Sequence, residues 1–394
     1  ANVKINGAKI NVTGGSVAIA AVGKNTSNVG SHIEAKNSTI NYSGEGYAVY
    51  TKDGGKIDIS DATINLGGLA TGMELDFTNK TITATNTKIN VKSNGVTVYN
   101  LSNVTTPLKV STLQSDLNEK AGVTSITSDA GITKYKLASL DGGEVNIDTP
   151  ISRTDAEGKA GYTFYRRFLA QRTKLNVIKD VTAIMSSTEA KDYSGQVVGL
   201  EMNSSKNASY VSETAINLKN GATIIANRTD TGNGAIGTFI NYGQVNVDSK
   251  SKILVEKTNN NESAVGIYAV NGSQVSNTGT IEVGGAKSVG ILGMAYRTDS
   301  NGKNVVNEFG NKLGEGLVNI TNNGKISLDK NNTIGIFATN NKIGSNATDH
   351  TVKNKGNISV GNTDKSGTAI GIYGDRVSIK SESGTIKIGE GAVG

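Results

Sequence analysis

Arginines set among aromatic rings give this chain its clearest capacity to recognise a partner. They are densest in Gly161-Tyr-Thr-Phe-Tyr-Arg-Arg-Phe-Leu-Ala-Gln-Arg172, where Arg166, Arg167 and Arg172 stand beside Tyr162, Phe164, Tyr165 and Phe168. A guanidinium can bind a carboxylate through two parallel hydrogen bonds. Aromatic faces suit the apolar face of a sugar, and both residue types are enriched at the energetic centres of protein interfaces. Tyr296 and Arg297 are grouped with them as candidate partner contacts. The other reading is that the rings pack an irregular segment against an inserted helix, and the sequence leaves both open.

The elements that would position these residues are set by repeats. Asn277-Thr-Gly-Thr-Ile-Glu-Val283 returns as Asn241-Tyr-Gly-Gln-Val-Asn-Val247, Asn322-Asn-Gly-Lys-Ile-Ser-Leu328 and Asn354-Lys-Gly-Asn-Ile-Ser-Val360, with a degenerate copy at Glu382–Ile388. A second signature reads Val265-Gly-Ile-Tyr268, Val289-Gly-Ile-Leu292, Ile334-Gly-Ile-Phe337 and Ile370-Gly-Ile-Tyr373. Gly279 to Gly290 and Gly324 to Gly335 span 11 residues, Gly266 to Gly279 and Gly371 to Gly384 span 13, and the unit is therefore 24. Near the start, Ile10, Ile40, Ile64 and Ile89 head equivalent Ile-Asn strands 30, 24 and 25 residues apart.

Short alternating apolar runs at this period, punctuated by Gly and Asn, predict an all-β solenoid: a right-handed parallel β-helix with three strands per rung. The isoleucines form an inner column. Asn11, Asn41, Asn65 and Asn90 form an outer one, with amides hydrogen-bonded along the stack. Gly and Asn are expected at the corners, where positive φ is tolerated.

Three regions follow. Residues 1–100 are regular rungs. Residues 101–174 hold both prolines, a short helix near 111–120 with Leu113 and Leu117 on one face and Gly122 as its stop, and the aromatic and arginine stretch 161–172. Residues 175–394 are rungs again, with loops near 295–316 and 340–348 where the spacing exceeds the period.

Enzymes on such a scaffold act on polysaccharides through carboxylates that converge from neighbouring rungs. The outward residues of the Gly-x-Ile-x-Val strands read as Asp58, Asn146, Asn246, Glu282, Ser327, Ser359 and Lys387, a mixed column without an acidic pair. No catalytic residue is assigned and the chain is read as a non-enzyme; a polysaccharide lyase or hydrolase drawing carboxylates from the insertions is the alternative. His32 and His350 are isolated, cysteine is absent, and Asp53 and Asp141 before Gly-Gly read as turn residues, so neither metal nor cofactor is expected. In the tyrosine copies of the second signature, a core or corner role is preferred over a sugar-stacking ladder through Tyr268 and Tyr373.

The net charge of +6 is spread without a run of like charges or a basic stripe, which argues against nucleic acid. No stretch approaches the roughly 20 apolar residues of a membrane span. No signal peptide opens the chain, so a secreted repeat protein of this kind is expected to be a fragment.

Ser263-Ala-Val-Gly-Ile-Tyr268, Lys287-Ser-Val-Gly-Ile-Leu292, Asn277-Thr-Gly-Thr-Ile281 and the Lys- and Asn-rich, Trp-free composition together resemble the passenger domains of large fusobacterial outer-membrane autotransporter adhesins (type V secretion). The resemblance covers most of residues 1–100 and 175–394. It implies export through a C-terminal β-barrel outside this sequence and display on the bacterial cell surface. It also implies adhesion to host-cell protein receptors, host glycans or partner bacteria, with a role in virulence. The lack of cysteine fits passage through the periplasm. A passive stalk within a larger adhesin is the second alternative.

Overall fold

The computed structural model describes residues 1–23, 30–132, 135–140, 142–154, 167–168, 172–190, 196–203, 211–256, 261–295, 317–340 and 350–394. They fall into two compact units, Ala1–Gly143 and the described residues from Glu144 to Gly394. Both are parallel β-helices. Consecutive strands enter different sheets, and every third strand returns to the same one.

In the first unit, the strands Lys9–Thr13, Thr39–Gly44, Thr63–Gly68, Thr87–Val91 and Val123–Ser128 lie side by side in parallel. Ile10 pairs with Ile40, Ile40 with Ile64, and Ile64 with Ile89, which is the expected column. Ile40, Ile64 and Ile89 are wholly buried. One residue on, Asn41 Nδ2 donates to Asn11 Oδ1 at 2.7 Å, Asn65 to Asn41 at 2.6 Å and Asn90 to Asn65 at 2.8 Å. Identical amides at one strand spacing satisfy each other, so the outer face of a parallel sheet is stabilised without being covered.

The helix Leu113–Ala121 is where its leucine spacing and glycine place it. Thr112 is its N-cap residue and Leu113, Leu117 and Ala121 are buried. Gly122 ends it at φ 85°, with its N–H on Asn118 and Glu119 carbonyls. The sheet of Asn2–Lys4, His32–Glu34, Lys56–Asp58 and Ile82–Thr83 ends beside it, and the Ala84 N–H donates to Ala121 O at 3.1 Å.

The second unit corrects the single outward column read from the sequence. Gln244–Val247 pairs with Gln274–Asn277, not with Thr280–Val283. Asn146, Asn176, Asn217 and Asn246 therefore stack in one sheet, each later amide donating to the earlier at 2.9–3.0 Å. Glu282, Ser327, Ser359 and Lys387 belong to another sheet, below Leu254. Asp58 pairs with Glu34 in the first unit. The local patterns are alike, and only the pairing separates them.

The Asn-x-Gly signature does not use positive φ at Asn277, Asn322 or Asn354. These three side chains are fully buried and joined amide to amide. Their glycines stack: a Cβ on Gly324 would strike Gly279 O, one on Gly356 would strike Gly324 O, and one on Gly384 would strike Gly356 O. Glycine is required here because successive corners touch through backbone. The loops expected near 295–316 and 340–348 lie almost wholly outside the described residues; the strands before them, Val289–Met294 and Ile334–Thr339, belong to the third sheet and the next described strands to the first.

Candidate functional site

Tyr162, Phe164, Tyr165, Arg166, Tyr296 and Arg297 lie outside the described residues. Of Arg167 and Phe168 only the backbone is described, as a short strand paired in parallel with Glu201 and Met202. Arg172 is exposed at φ 55°, and its N–H donates to Thr214 Oγ1 at 3.1 Å. His350 is buried and its Nδ1 accepts the Val318 N–H at 3.1 Å, a structural role. Asp53 turns the chain at φ 52° before Gly54, and Asp141 lies outside the described residues. Among the described residues no group of three or more His, Cys, Asp or Glu side chains could hold a metal.

Two surfaces remain, and both sit on the third sheet of their unit. In the second unit this sheet stacks Ile267, Ile291, Ile336 and Ile372. Gly266 precedes Ile267 and is also buried; its Cβ position faces Ile281 and Val283 of the neighbouring sheet. Two successive inward residues shift the alternation by one, so the next residue points out. Tyr268, Leu292, Phe337 and Tyr373 thus form an outer column; Tyr268 packs against a buried apolar cluster, in keeping with the core role expected for it, whereas Tyr373 is exposed and departs from that expectation. Phe239 heads it, edge-on to Tyr268 with centroids 5.5 Å apart. Phe337 and Tyr373 stack at 4.9 Å and 22°. One end packs into a buried cluster of Val198, Ile236, Phe239 and Val270, whereas Tyr373 is 40% exposed.

In the first unit the third sheet consists of Val17–Val22, Tyr47–Lys52, Thr71–Asp76, Thr97–Ser102 and Lys136–Leu140. The fourth positions of its last four strands carry polar groups. Tyr50 and Glu74 each follow one member of the Val49–Met73 pair; Glu74 pairs with Asn100, and Asn100 with Ser139. Of these, Tyr50 and Glu74 line an open groove of about 940 Å³, whose wall also carries Ser102, Lys52, Lys56, Lys80, Asp53 and Asp76. The Tyr47 ring lies 5.0 Å from Tyr50. Ser139 Oγ donates to Asn100 Oδ1 at 2.7 Å, and Asn100 Nδ2 donates to the Tyr47 hydroxyl at 3.0 Å.

Glu74 and Asp76 share this face and have opposite electrostatics. Burial pushes the Glu74 carboxyl up against the Ser102 hydrogen bond, and the Asp76 charge adds to the rise. Burial would also raise Asp76, but donors from Asn103, Thr78 and Asn79 outweigh it and hold it at about 2. Carboxyls with diverging pKa values can divide acid and base roles. Here Asp76 is committed to its turn: Oδ1 accepts Thr78 N–H at 2.8 Å, Thr78 Oγ1 at 2.9 Å and Asn79 N–H at 3.1 Å, and Oδ2 accepts Asn79 Nδ2 at 3.3 Å. Glu74 keeps acceptor capacity, with Ser102 Oγ on Oε1 at 3.1 Å. One available carboxylate binds hydroxyls or cations; it does not supply paired acid–base chemistry.

Glu74 carries no repeat signal in the sequence, since Thr-Gly-Met-Glu-Leu-Asp76 holds neither signature in full. Its inward Met73 and Leu75 were the available sign that Glu74 and Asp76 face out. No protein-family model, curated protein or solved structure matches the chain.

Proposed function

We propose that this chain is part of a surface-displayed adhesin passenger that binds host-cell receptors or glycans, or partner bacteria, without chemical turnover. The observation that carries the reading is the outward column Tyr268–Leu292–Phe337–Tyr373 ending in a stacked, partly exposed ring pair. The isoleucine column already fills the inside of these strands, so the outer rings are not needed there. Aromatic side chains held on a rigid sheet lose little freedom on binding and are the residues that dominate interface energies. Commitment of Asp76 to its turn favours binding over polysaccharide cleavage. The resemblance to autotransporter passengers supports placement at the bacterial cell surface.

The test is binding of the fluorescently labelled chain to epithelial and immune cells, beside a Phe337→Ser, Tyr373→Ser double variant with folding checked by circular dichroism. Binding lost in the folded variant supports the reading. Binding retained moves the contact elsewhere, with an Arg166→Ala, Arg167→Ala variant next. No binding by the parent chain overturns adhesion to these cells.

A further inference from the structure

We infer that the groove of the first unit is a binding site for a neutral glycan, with a pyranose ring on Tyr50 and ring hydroxyls donated to Glu74. The site is separate from the aromatic column of the second unit and does not depend on it.

Four observations support it. The groove, at about 940 Å³, has the size of small-ligand sites. Tyr50 is backed by Tyr47, and the Tyr47 hydroxyl is held by the Ser139–Asn100 chain of hydrogen bonds. The aromatic wall is therefore fixed before any ligand arrives, which lowers the entropic cost of stacking.

Glu74 is half-buried without an ion pair among the described residues, a position that costs folding energy and exposes acceptor lone pairs to the groove. Charge then narrows the ligand. Lys52, Lys56 and Lys80 line the groove and oppose a cation, while Asp53, Glu74 and Asp76 line it too and oppose an anion. A neutral ligand rich in hydroxyl donors, with an apolar face for the ring, satisfies both. The lysine ammonium groups add donors for ring and hydroxyl oxygens at the rim.

The experiment screens the chain on immobilised neutral oligosaccharides, with sialylated and sulfated ones alongside, and then measures affinity for the best neutral ligand by calorimetry. Glu74→Gln and Tyr50→Leu are compared with the parent, all three checked by circular dichroism and melting. The expected result is binding to neutral glycans, weakened at least tenfold by each substitution with folding intact. Three results would overturn the inference: no glycan bound, acidic glycans preferred, or affinity unchanged in both folded variants. Cell binding by the same variants is read separately, so loss of the glycan site leaves the adhesion reading to stand or fall on Phe337 and Tyr373.

Discussion

Asn277 and Asn322 are 45 residues apart in sequence, yet Asn277 Nδ2 donates to Asn322 Oδ1 at 2.8 Å, with both side chains fully buried. Asn322 in turn donates to Asn354 Oδ1 at 2.8 Å, and Asn277 Oδ1 accepts the Gly279 N–H at 3.1 Å. The flanking strands keep their register across this separation, with Asn277 opposite Asn322 and Asn322 opposite Asn354. A buried amide has no water to fall back on, so each asparagine is satisfied only if the next coil is in place.

Asn322→Ala should therefore cost about 2–4 kcal/mol, because it leaves the Asn277 amide and the Asn354 carbonyl without their ladder partner in the interior. Asn65→Ala, in the half-buried outer ladder of the first unit, should cost at most about 1 kcal/mol, since water replaces the lost partner. Urea unfolding of the two variants checks this. Equal losses would mean that burial does not set the worth of a ladder position.

Gly356→Ala should cost about 3 kcal/mol, because its Cβ would strike the Gly324 carbonyl and force two coils apart. Gly54 has φ 82° and open space around its Cβ position, so Gly54→Ala pays only the left-handed backbone penalty of about 1–2 kcal/mol. Thermal melts that reverse this order would show that the corner stack yields more easily than its contacts imply.

Asp76 and Glu74 should give pH effects of opposite sign. The Asp76 carboxyl is held at about 2 against an ordinary 3.8, so its contribution is complete above about pH 4 and is lost as pH falls through 2. The Glu74 carboxyl is raised, so it destabilises the fold at neutral pH, and that penalty is gone below the ordinary glutamate value of 4.5. Melting curves from pH 7 to 2 should show Asp76→Asn with a flatter acid limb and Glu74→Gln melting no lower than the parent at pH 7. An unchanged acid limb in Asp76→Asn would remove Asp76 from the account.

Leu117→Ala should destabilise the first unit by about 2–5 kcal/mol, as expected for a wholly buried leucine. Gly122→Ala should cost more than the left-handed backbone penalty of about 1–2 kcal/mol, since the cap sits at φ 85° and its Cβ would also lie 2.9 Å from the Thr85 nitrogen. Hydrogen exchange of the Ala84 amide, which is bonded to Ala121 O, reports directly on whether the helix end opens. Protection unaltered in both variants would show that the helix is not anchored there.

The sequence by itself determined the 24-residue period, the parallel stack, the Ile10–Ile89 column with its asparagine ladder, and the helix ended by Gly122. These are local or self-repeating features: alternation fixes which side chains share a face, and identical residues one coil apart align with each other. Tertiary structure alone decided which sheet each copy joins, separating Asn246 from Glu282 although both follow an apolar residue after Gly-x. It also decided that Tyr268 and Tyr373 point outward, because Gly266 and Ile267 are both buried and the alternation slips by one at the bend. That Tyr50 and Glu74 line one groove has the same origin. Alternation carries parity along one strand, whereas the phase across a bend and the choice of neighbour depend on contacts between coils.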